Sequence, residues 1–436
     1  MQQAQIDYFV KFFRDNEKNP DQHKIGAEFE FFIIRNDNLQ TVSYYGKNGI
    51  ESILYELSHK FGWNKDYQDK HLIGLHSKCA KITLEPGAQF EISFQPHKLV
   101  PNMIGKYIQT VIEIITVLEN KNYSLIASGY QPYSKISEIE MIPKKRYELM
   151  YDYFAKCGCF AHNMMMGTAS IQVTVDYSSE KDFRDKMQLA YKISPLIALF
   201  FDNSPLFERK KYKHNCLRQK IWANCDDDRC GFVPNVLSNS FGYADYAKYI
   251  LNSPPIFLLD NKGNIIPYEK PLKNIFDPEN ITKEQFLHTL SMQFPHVRAR
   301  QYIEFRVADS VPYPLNFSLL ALLKIIFYDK NIRDFLLDLC KDISENEVKR
   351  CMQEIEKRGF DFSYAGYDSK ELLKIIFYKI KQNNNCCANS ILIPLYDIIQ
   401  KRKSMKMELA EINDIRQIIH QQNMYFIKRC AECVNI

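Results

Sequence analysis

Two glutamates alternate with two phenylalanines near the start of the sequence, in Ala27-Glu28-Phe29-Glu30-Phe31. In a β-strand, residues two positions apart point to the same side, so Glu28 and Glu30 share one face and the two phenylalanines the other. The same alternation recurs in residues 85–93, 171–176 and 302–307. These segments add the polar residues Gln89 and Glu91, then Gln172, Thr174 and Asp176, then Glu304 and Arg306. The pattern predicts four strands whose polar faces are mainly acidic.

These polar faces hold four glutamates, Glu28, Glu30, Glu91 and Glu304, but only one cation, Arg306. Carboxylates held close together repel one another unless a cation compensates them. A ligand set of oxygens without histidine suits hard divalent ions such as Mg²⁺ or Mn²⁺, and Mg²⁺ is usually shared with substrate phosphates. Arg306 follows Glu304 by one pleat, where its guanidinium group can bind such phosphates through two hydrogen bonds.

The pattern therefore indicates a Mg²⁺–nucleotide site on an antiparallel sheet. It is not a P-loop site, because no Gly-x4-Gly-Lys-Ser/Thr sequence occurs. For any single strand, a solvated sheet face remains the alternative, since antiparallel sheets often have one apolar and one wet face.

A second group of polar residues lies in the irregular stretch 205–242, where Arg218 precedes Trp222 and Arg229 follows three aspartates. Loop arginines commonly bind small carboxylates. Simple solvation is the alternative for each arginine taken alone.

Composition sets the class of protein. The chain has 436 residues, a net charge of +5 and 46% hydrophobic residues, which are ordinary values for a soluble globular protein. The weak positive charge gives no indication of nucleic-acid binding. No run of 18 uncharged apolar residues occurs, and residues 1–7 lack the basic and apolar segments of a signal peptide. We therefore expect no membrane association and a cytoplasmic location.

Twelve cysteines are scattered along the chain, and no second pair or histidine cluster completes a zinc site around Cys430 and Cys433. The pairs Cys157/Cys159 and Cys386/Cys387 are equally isolated. We expect all twelve to be reduced, structural thiols.

Hydrophobic periodicity predicts the elements that position these residues. Helices are expected over residues 5–15, 48–62, 98–120, 144–157 and 180–202. Strands are expected over 24–35, 82–95 (following a turn at Pro86-Gly87), 168–177 and 301–308, with a hairpin within 253–283. Residues 315–433 are almost wholly helical in pattern, and the heptapeptide Leu-Leu-Lys-Ile-Ile-Phe-Tyr occurs there twice, at 322–328 and 372–378. We expect one α+β catalytic domain over residues 1–436, with the active site in 1–314 and a helical layer over 315–436.

Assembled in order, these segments resemble the plant-type glutamate–cysteine ligases, a family shared by plants and many bacteria. The phrases that carry the resemblance span residues 26–309. They are Gly26-Ala-Glu-Phe-Glu30, Leu84-Glu-Pro-Gly-Ala-Gln-Phe-Glu-Ile-Ser93, Met165-Met-Gly-Thr-Ala-Ser-Ile-Gln-Val-Thr-Val-Asp176, Asn203-Ser-Pro205, Arg218 with Ile221-Trp222, Asp228-Arg-Cys-Gly231, and Phe294-Pro followed by Arg298 and Arg300-Gln-Tyr-Ile-Glu-Phe-Arg-Val-Ala-Asp309.

The resemblance implies a curved antiparallel sheet of the glutamine synthetase and guanido kinase type, surrounded by helices. It implies ATP-dependent joining of the γ-carboxylate of L-glutamate to the amine of L-cysteine through γ-glutamyl phosphate, the first step of glutathione biosynthesis. ATP is the co-substrate, two or three Mg²⁺ ions (or Mn²⁺) are the cofactors, and the protein is a monomer or homodimer.

The resemblance also implies roles for individual residues. The metal ligands are Glu28, Glu30, Glu85, Glu91 and Glu304, and the catalytic residues are Arg306 and Glu304. ATP contacts come from Gln172, Thr174 and Arg306, and substrate contacts from Arg218, Gln89, Arg229 and Trp222.

Two alternatives stay open. A related ligase would use the same metal and phosphate residues with a different amino acid or amine as acceptor. A degenerate homologue would bind nucleotide and act as a regulator, although a protein of that kind normally lacks at least one of the acidic positions or Arg306, all of which are present in this sequence.

Overall fold

A computed structural model describes residues 2–260, 262–383 and 386–434 of the chain. The strands in these ranges are β1 (Ile25–Arg35), β2 (Asn64–Gln68), β3 (His71–His76), β4 (Ala80–Leu84), β5 (Phe90–His97), β6 (Tyr123–Ile126), β7 (Ser170–Val175), β8 (Leu206–Phe207), β9 (Lys210–Lys211), β10 (Cys230–Gly231), β11 (Phe257–Leu259), β12 (Ile265–Pro267), β13 (Phe294–Pro295), β14 (Val297–Ala299), β15 (Ile303–Asp309), β16 (Ser363–Tyr364) and β17 (Tyr367–Asp368).

The α-helices of the same part are α1 (Gln2–Asp15), α2 (Ile50–Phe61), α3 (Pro101–Glu119), α4 (Lys145–Phe154), α5 (Ala161–Gly167), α6 (Glu180–Phe200), α7 (Leu217–Trp222), α8 (Tyr243–Asn252), α9 (Lys283–Ser291), α10 (Leu315–Tyr328), α11 (Lys330–Leu339), α12 (Glu345–Arg358), α13 (Ser369–Asn383), α14 (Cys386–Ile391), α15 (Ile393–Lys401), α16 (Met405–Ala410), α17 (Ile415–Gln421) and α18 (Tyr425–Val434). None of these helices combines the length and apolar content needed to cross a bilayer.

A large antiparallel sheet, in the order β14-β15-β7-β1-β5-β4-β3-β2 with β6 paired to the end of β1, forms the centre of the described fold. The predicted α+β class with an antiparallel sheet is confirmed. The four strands with acidic faces, β15, β7, β1 and β5, are neighbours in this sheet although they are distant in sequence. Their polar faces therefore form one continuous surface.

The opposite face of the sheet is apolar and covered by helices. The ring of Phe29 lies 4.9 Å from that of Tyr107 on α3 and 5.6 Å from that of Phe317 on α10. Phe29 is only 1% exposed, so its replacement by Ala would cost about 3–5 kcal/mol of stability. Burying one face in this way fixes the register of β1 and points Glu28 and Glu30 toward the other.

The sequence-based elements agree with the structure in most of the chain, including the helices at 98–120 and 180–202 and the hairpin of β11 and β12. The prediction of a single strand over 82–95 is wrong. It is two strands, β4 and β5, joined by a tight turn in which Ala88 has a φ of 63° and its amide donates to the carbonyl of Glu85. The stretch 205–242 is largely irregular as expected, but it contains α7, which carries Arg218.

One hydrophobic cluster includes residues from Ile6 on α1 to Ile427 on α18. The two copies of the repeated heptapeptide lie on α10 and α13. Because the helices after residue 315 share this core with the sheet, we propose that they belong to the same domain.

Eight cysteines, at positions 79, 157, 159, 216, 225, 230, 340 and 351, are free thiols. The side chains of Cys386, Cys387, Cys430 and Cys433 lie outside the described residues.

Candidate active site

A pocket of about 340 Å³ lies on the polar face of the sheet. Its walls include the acidic residues Glu28, Glu30, Glu85 and Glu91, the amides Gln89 and Gln172, and the basic residues Arg146, Arg218, Arg298, Arg300 and Arg306. Trp222 and Thr168 also line it. The structure thus brings most of the predicted site residues together in one cavity.

Glu30 lies at the centre of this polar face. It is directly opposite Glu91 in the pairing of β1 with β5, a like-charge pair that is unfavourable unless compensated. Its carboxylate accepts hydrogen bonds from the Ser170 amide (2.6 Å), the Ser170 hydroxyl (3.1 Å) and the Gln172 side-chain amide (2.8 Å). Glu91 accepts one bond, from the Thr83 hydroxyl at 2.5 Å.

Glu304 lies between two guanidinium groups. Arg298, directly opposite on β14, donates from Nε to Oε2 at 2.7 Å, and Arg306 donates to the same oxygen at 3.0 Å. Burial raises the pKa of Glu304, but these two arginines outweigh the effect of burial and hold the pKa at about 2. The other oxygen, Oε1, is buried and has no hydrogen-bond partner in the described structure.

Gln172 connects the two halves of the polar face. Its side-chain amide donates to Glu30, and its oxygen accepts from Arg306. A shift of Arg306 toward a bound anion would therefore be transmitted to Glu30.

Three other carboxyl groups are held in a poor environment for a negative charge. Burial, followed by the neighbouring charge of Glu304, raises the pKa of Glu28 to about 7. Burial and Glu85 raise the pKa of Glu30, and burial and Glu28 raise that of Glu91. Such shifts are the electrostatic sign of a site that is completed by positive charge.

The donor set fits hard divalent cations, because it consists of carboxylate oxygens and one of them, Oε1 of Glu304, has no partner. The carboxylates do not yet converge: no three His, Cys, Asp or Glu side chains of the described residues form a ready coordination shell. Glu30, Glu91 and Glu304 instead accept bonds from Ser170, Thr83 and the two arginines, which would have to be partly exchanged for metal contacts.

Three arginines of the pocket have no protein anion. The side chains of Arg146, Arg218 and Arg300 make neither an ion pair nor a hydrogen bond with any described residue, and the Nε atom of each is buried. Arg218 is only 3% exposed, and burial lowers its pKa to about 10, so it remains charged at neutral pH. A buried, unpaired guanidinium group is costly unless a ligand supplies the missing anion.

Trp222 lies between two of the arginines. Its ring is 5.0 Å from the guanidinium carbon of Arg218 and 5.7 Å from that of Arg306. Its indole N–H is buried without a partner among the described residues. Trp222 therefore fixes the spacing of the two cations and offers a further donor.

The remaining predicted site residues differ in their placement. Gln89 lines the pocket, but its amide is occupied by the carbonyls of Met165 and Thr168 and by the Gly87 N–H. Thr174 lies opposite both Gly26 and Glu304, and a side chain at position 26 would place its Cβ 2.4 Å from the Thr174 hydroxyl.

Arg229 is not part of the pocket. It is fully buried and paired with Asp226 at 2.5 Å, with further bonds to the Tyr153 hydroxyl and the Met292 carbonyl. The expectation that it contacts substrate or phosphate has no support in this arrangement, because its donors are used to anchor the irregular segment before β10.

Sequence reasoning missed Arg298, Arg300 and Arg146 as site residues. For Arg298 a signal was present, since a short hairpin back from β15 places it opposite Glu304. Arg146 lies in the first turn of α4. Two residues close to it in sequence, Lys144 and Tyr147, both donate to the Leu84 carbonyl, beside Glu85. No local pattern in the sequence indicates that contact.

An antiparallel sheet with an enclosed face of glutamates and unpaired arginines has the chemistry expected of a site for anions and divalent cations. The sequence model of Glutamate-cysteine ligase family 2 (GCS2) matches residues 24–366. The chain therefore belongs to glutamate–cysteine ligase family 2, as the resemblance predicted.

Individual relatives agree. Glutamate–cysteine ligase B, chloroplastic, from Oryza sativa subsp. japonica is 30% identical over 369 residues, which cover 82% of this chain and 74% of the rice protein. The chloroplastic enzyme of Arabidopsis thaliana is 30% identical over 359 residues, 78% of this chain and 66% of that protein. A crystal structure of glutamate–cysteine ligase from Francisella tularensis in complex with AMP superimposes with a TM-score of 0.58 at 13% identity, covering 93% of this chain and 88% of that one. The last comparison confirms the fold.

The expectation of a cytoplasmic protein is contradicted by these relatives, because the plant proteins are named as chloroplastic. Charge, hydropathy and free cysteines distinguish membranes and oxidising compartments from a reducing aqueous one. They do not distinguish one reducing compartment from another, so composition alone could not assign the location.

The raised carboxyl pKa values give a prediction for pH dependence. For Glu28, folding raises the pKa from 4.5 to about 7, so its ionisation destabilises the folded state increasingly between those pH values and fully above pH 7. A divalent cation competes with these protons. We expect the rise in melting temperature on adding Mg²⁺ to be larger at pH 8 than at pH 6.

The measurement is thermal denaturation with Mg²⁺ and with EDTA at each pH, and the difference cancels the titration of histidines remote from the pocket. The same Mg²⁺ effect at pH 6 and pH 8, or none, would contradict a metal site at these carboxyl groups.

Proposed function

We propose that this protein is an ATP-dependent ligase that joins the γ-carboxylate of L-glutamate to the amine of L-cysteine, the first step of glutathione biosynthesis. The observation that carries the proposal is the meeting of Glu28, Glu30, Glu85 and Glu91 with unpaired arginines in one pocket of a family 2 fold, next to Glu304, which is bonded to two arginines of its wall. The carboxylates suit metal ions, and the arginines suit the phosphates and carboxylates of three anionic substrates.

The five glutamates would hold two or three Mg²⁺ ions, with Mn²⁺ as a substitute. Bound there, the ions would neutralise the phosphates of ATP and the charge that develops during phosphoryl transfer. The chain itself supplies the orientation of the carboxylates, through Ser170 and Gln172 on Glu30 and through Arg298 on Glu304.

Arg306 is placed to stabilise the transferring phosphoryl group. It is only 8% exposed, is held by Gln172 and Glu304, and can bind two phosphate oxygens at once. Arg300, at the turn between β14 and β15, offers a second contact for the phosphates of ATP. Gln172 and Thr174, on the neighbouring strand, complete the proposed nucleotide contacts.

Arg218 is the proposed clamp for the α-carboxylate of glutamate, with Trp222 packed against it. Arg146 then remains for the carboxylate of the acceptor amino acid. The methionines Met150, Met164 and Met165 line the same pocket, and their polarizable thioethers suit a small thiol side chain.

Phosphoryl transfer and acyl transfer require no protein nucleophile in this pocket. An oxygen of the glutamate γ-carboxylate attacks the γ-phosphorus of ATP, and ADP leaves. The cysteine amine then attacks the carbonyl carbon of the acyl phosphate and loses a proton, and inorganic phosphate leaves with the oxygen that came from glutamate. The chain contributes by holding the reacting groups in position and by balancing charge.

This order of steps predicts an isotope result. With L-glutamate labelled with ¹⁸O in the γ-carboxylate, turnover with ATP, Mg²⁺ and cysteine should transfer one labelled oxygen into each phosphate released, measured by mass spectrometry. Buthionine sulfoximine should also inactivate the enzyme slowly and only when ATP is present, because its phosphorylated form mimics the tetrahedral adduct.

The control is the same reaction without an acceptor. If the released phosphate carried no ¹⁸O, or if AMP and pyrophosphate replaced ADP and phosphate, the acyl-phosphate mechanism would be excluded. Scanning all amino acids as acceptors in an ADP-release assay tests the choice of cysteine separately.

A further inference from the structure

A buried polar network lies at the start of α7, the helix that carries Arg218. We call it the rear network and define it by Asp202, Asp309, Asn215 and Lys406, with Asn203 and Ser204 between them. Asp202, Asn203 and Ser204 are 0% exposed, Asp309 is 3% and Lys406 is 4%. None of these residues has a role in the proposed reaction.

Asp309 ends β15, three residues after Arg306. Its Oδ2 accepts hydrogen bonds from the Asn203 N–H at 2.9 Å and the Ser204 hydroxyl at 2.6 Å. The carboxyl group lies so close to the backbone of residue 129 that a Cβ there would be 2.1 Å from it, which requires the glycine found at this position. Asp309 is thus fixed. It forms no hydrogen bond or ion pair with Arg218 in the described structure, but its charge, like that of Glu30, acts on the guanidinium group at longer range.

Asp202 holds the start of the helix that carries Arg218. Its Oδ2 accepts from the Cys216 N–H at 2.9 Å, and Cys216 precedes α7 with a left-handed backbone, φ 52°. The second oxygen, Oδ1, is buried without a partner among the described residues. Two buried carboxylates, Asp202 and Asp309, therefore lie near each other and near Arg218.

Lys406 supplies a cation to this network from the C-terminal helices. It lies on α16, its backbone N–H donates to the Asp202 carbonyl at 3.0 Å, and its ammonium group donates to the Asn215 side-chain oxygen at 3.2 Å. Asn215 directly precedes Cys216, and its own amide donates to the Ile355 carbonyl. The ammonium group favours the ionised form of Asp202 and so opposes burial and Asp309, which raise the pKa of that carboxyl.

We propose that Lys406 is a positioning residue for the glutamate site: its contacts with the Asp202 carbonyl and with Asn215, and its charge near the buried Asp202, keep the start of α7, and with it Arg218, in place. The inference rests on the proposed role of Arg218 as the glutamate clamp, and it gives the helices beyond residue 315 a part in substrate binding. The charged groups near Asp202 and Asp309 are Lys406 on α16 and Arg218 on α7. Glu356 on α12 acts on the neighbouring Cys216.

Without the ammonium group, Asp202 and Asp309 would have only Arg218 as a nearby cation among the described residues. The guanidinium group of Arg218 would then be drawn toward the rear network. Alternatively, Asp202 and Asp309 would take up a proton and attract Arg218 less strongly. Either change alters the anion site that faces the pocket. Replacing the partners that orient the ligands of a metal ion typically costs about 10- to 100-fold in affinity or activity, and we expect an effect of similar order for a partner that orients Arg218.

The test is a set of variants assayed for KM of glutamate, KM of ATP and kcat. Lys406→Met should raise the KM for glutamate about 10-fold, with a much smaller change in the KM for ATP. Lys406→Arg, which keeps the charge, should retain a KM for glutamate close to that of the wild type. Lys403→Met, at an exposed lysine paired with Glu411 just before α16, is the matched control and should be unchanged.

The decisive variant combines Lys406→Met with Asp202→Asn, since Asn keeps an oxygen for the Cys216 N–H while it removes the charge. It should recover glutamate affinity to near the wild-type value, even if Lys406→Met alone is too unstable to purify. A double variant with a KM for glutamate as high as that of Lys406→Met, or a Lys406→Arg variant as impaired as Lys406→Met, would overturn the inference.

The two proposals fail in different ways. If the wild-type protein forms no ADP with glutamate and any amino acid, the proposed function is wrong. If the wild type is active and Lys406→Met leaves the KM for glutamate unchanged, only the role of Lys406 is wrong.

Discussion

Replacing Glu304 or Glu28 by Gln should lower kcat on the order of 10²- to 10³-fold while the fold remains intact, because each change removes a charge that the pocket uses to hold cations. Glu304 Oε1 has no protein partner among the described residues, so a metal ion is the contact we expect there, and Glu304→Gln also removes the charge that Oε2 presents to Arg298 and Arg306. For Glu28→Gln we also expect a higher melting temperature in EDTA, since its pKa of about 7 shows that ionisation is unfavourable in the folded protein.

The matched control is Glu119→Gln, at a partly exposed glutamate paired with Lys428 on the far side of α3. It should change neither kcat nor the effect of Mg²⁺ on stability. Turnover at the wild-type rate by both Glu28→Gln and Glu304→Gln would contradict the assignment of the metal site.

The alternation of residues along single strands was enough to predict which side chains share the polar face. Glu28 with Glu30, and Glu304 with Arg306, needed only the period of two and an apolar set to bury on the other side. The pairing of these strands across distances of more than a hundred residues did not follow from periodicity. The resemblance to a known family implied only that these strands belong to one curved antiparallel sheet, and their order and the register that sets Glu30 opposite Glu91 come from the structure.

The partners of the polar residues could not be predicted, because they depend on tertiary contacts. Gln89 has the sequence position of a substrate contact, but the tight turn before it directs its amide to the backbone of α5 and Thr168. From the sequence, Arg229 was expected to be a loop arginine available to bind an anion. In the structure it forms a buried ion pair with Asp226, three residues earlier. A local sequence shows that a charge exists, and only the fold shows whether another residue has already neutralised it.

The C-terminal helices illustrate the same limit. Their pattern predicted helices, and the two copies of the repeated heptapeptide do lie on helices with buried residues, α10 and α13. Nothing in the pattern distinguishes Lys406 from the surrounding lysines. Its burial and its contact with Asn215 appear only once α16 is packed against the start of α7.

Arg306→Lys should lower kcat about 100-fold while changing the KM for glutamate far less. In the structure, Arg306 is held in the pocket by Gln172 and Glu304, and Trp222 lies against its guanidinium group. Lysine can replace the charge but not the two parallel N–H donors that match phosphate oxygens. Losing one preorganised contact to the transition state costs about 3 kcal/mol, which corresponds to a decrease in kcat on the order of 100-fold.

Two controls make the outcome specific. Arg333, like Arg306, forms an ion pair with a carboxylate, but its partner is Asp182, outside the pocket. Arg333→Lys should therefore leave kcat unaltered. Arg218→Lys should give the reverse pattern, a large rise in the KM for glutamate. If Arg306→Lys raised the KM for glutamate and left kcat unchanged, Arg306 would be a clamp for the substrate carboxylate, and the phosphoryl group would have to be stabilised by Arg298 or Arg300 instead.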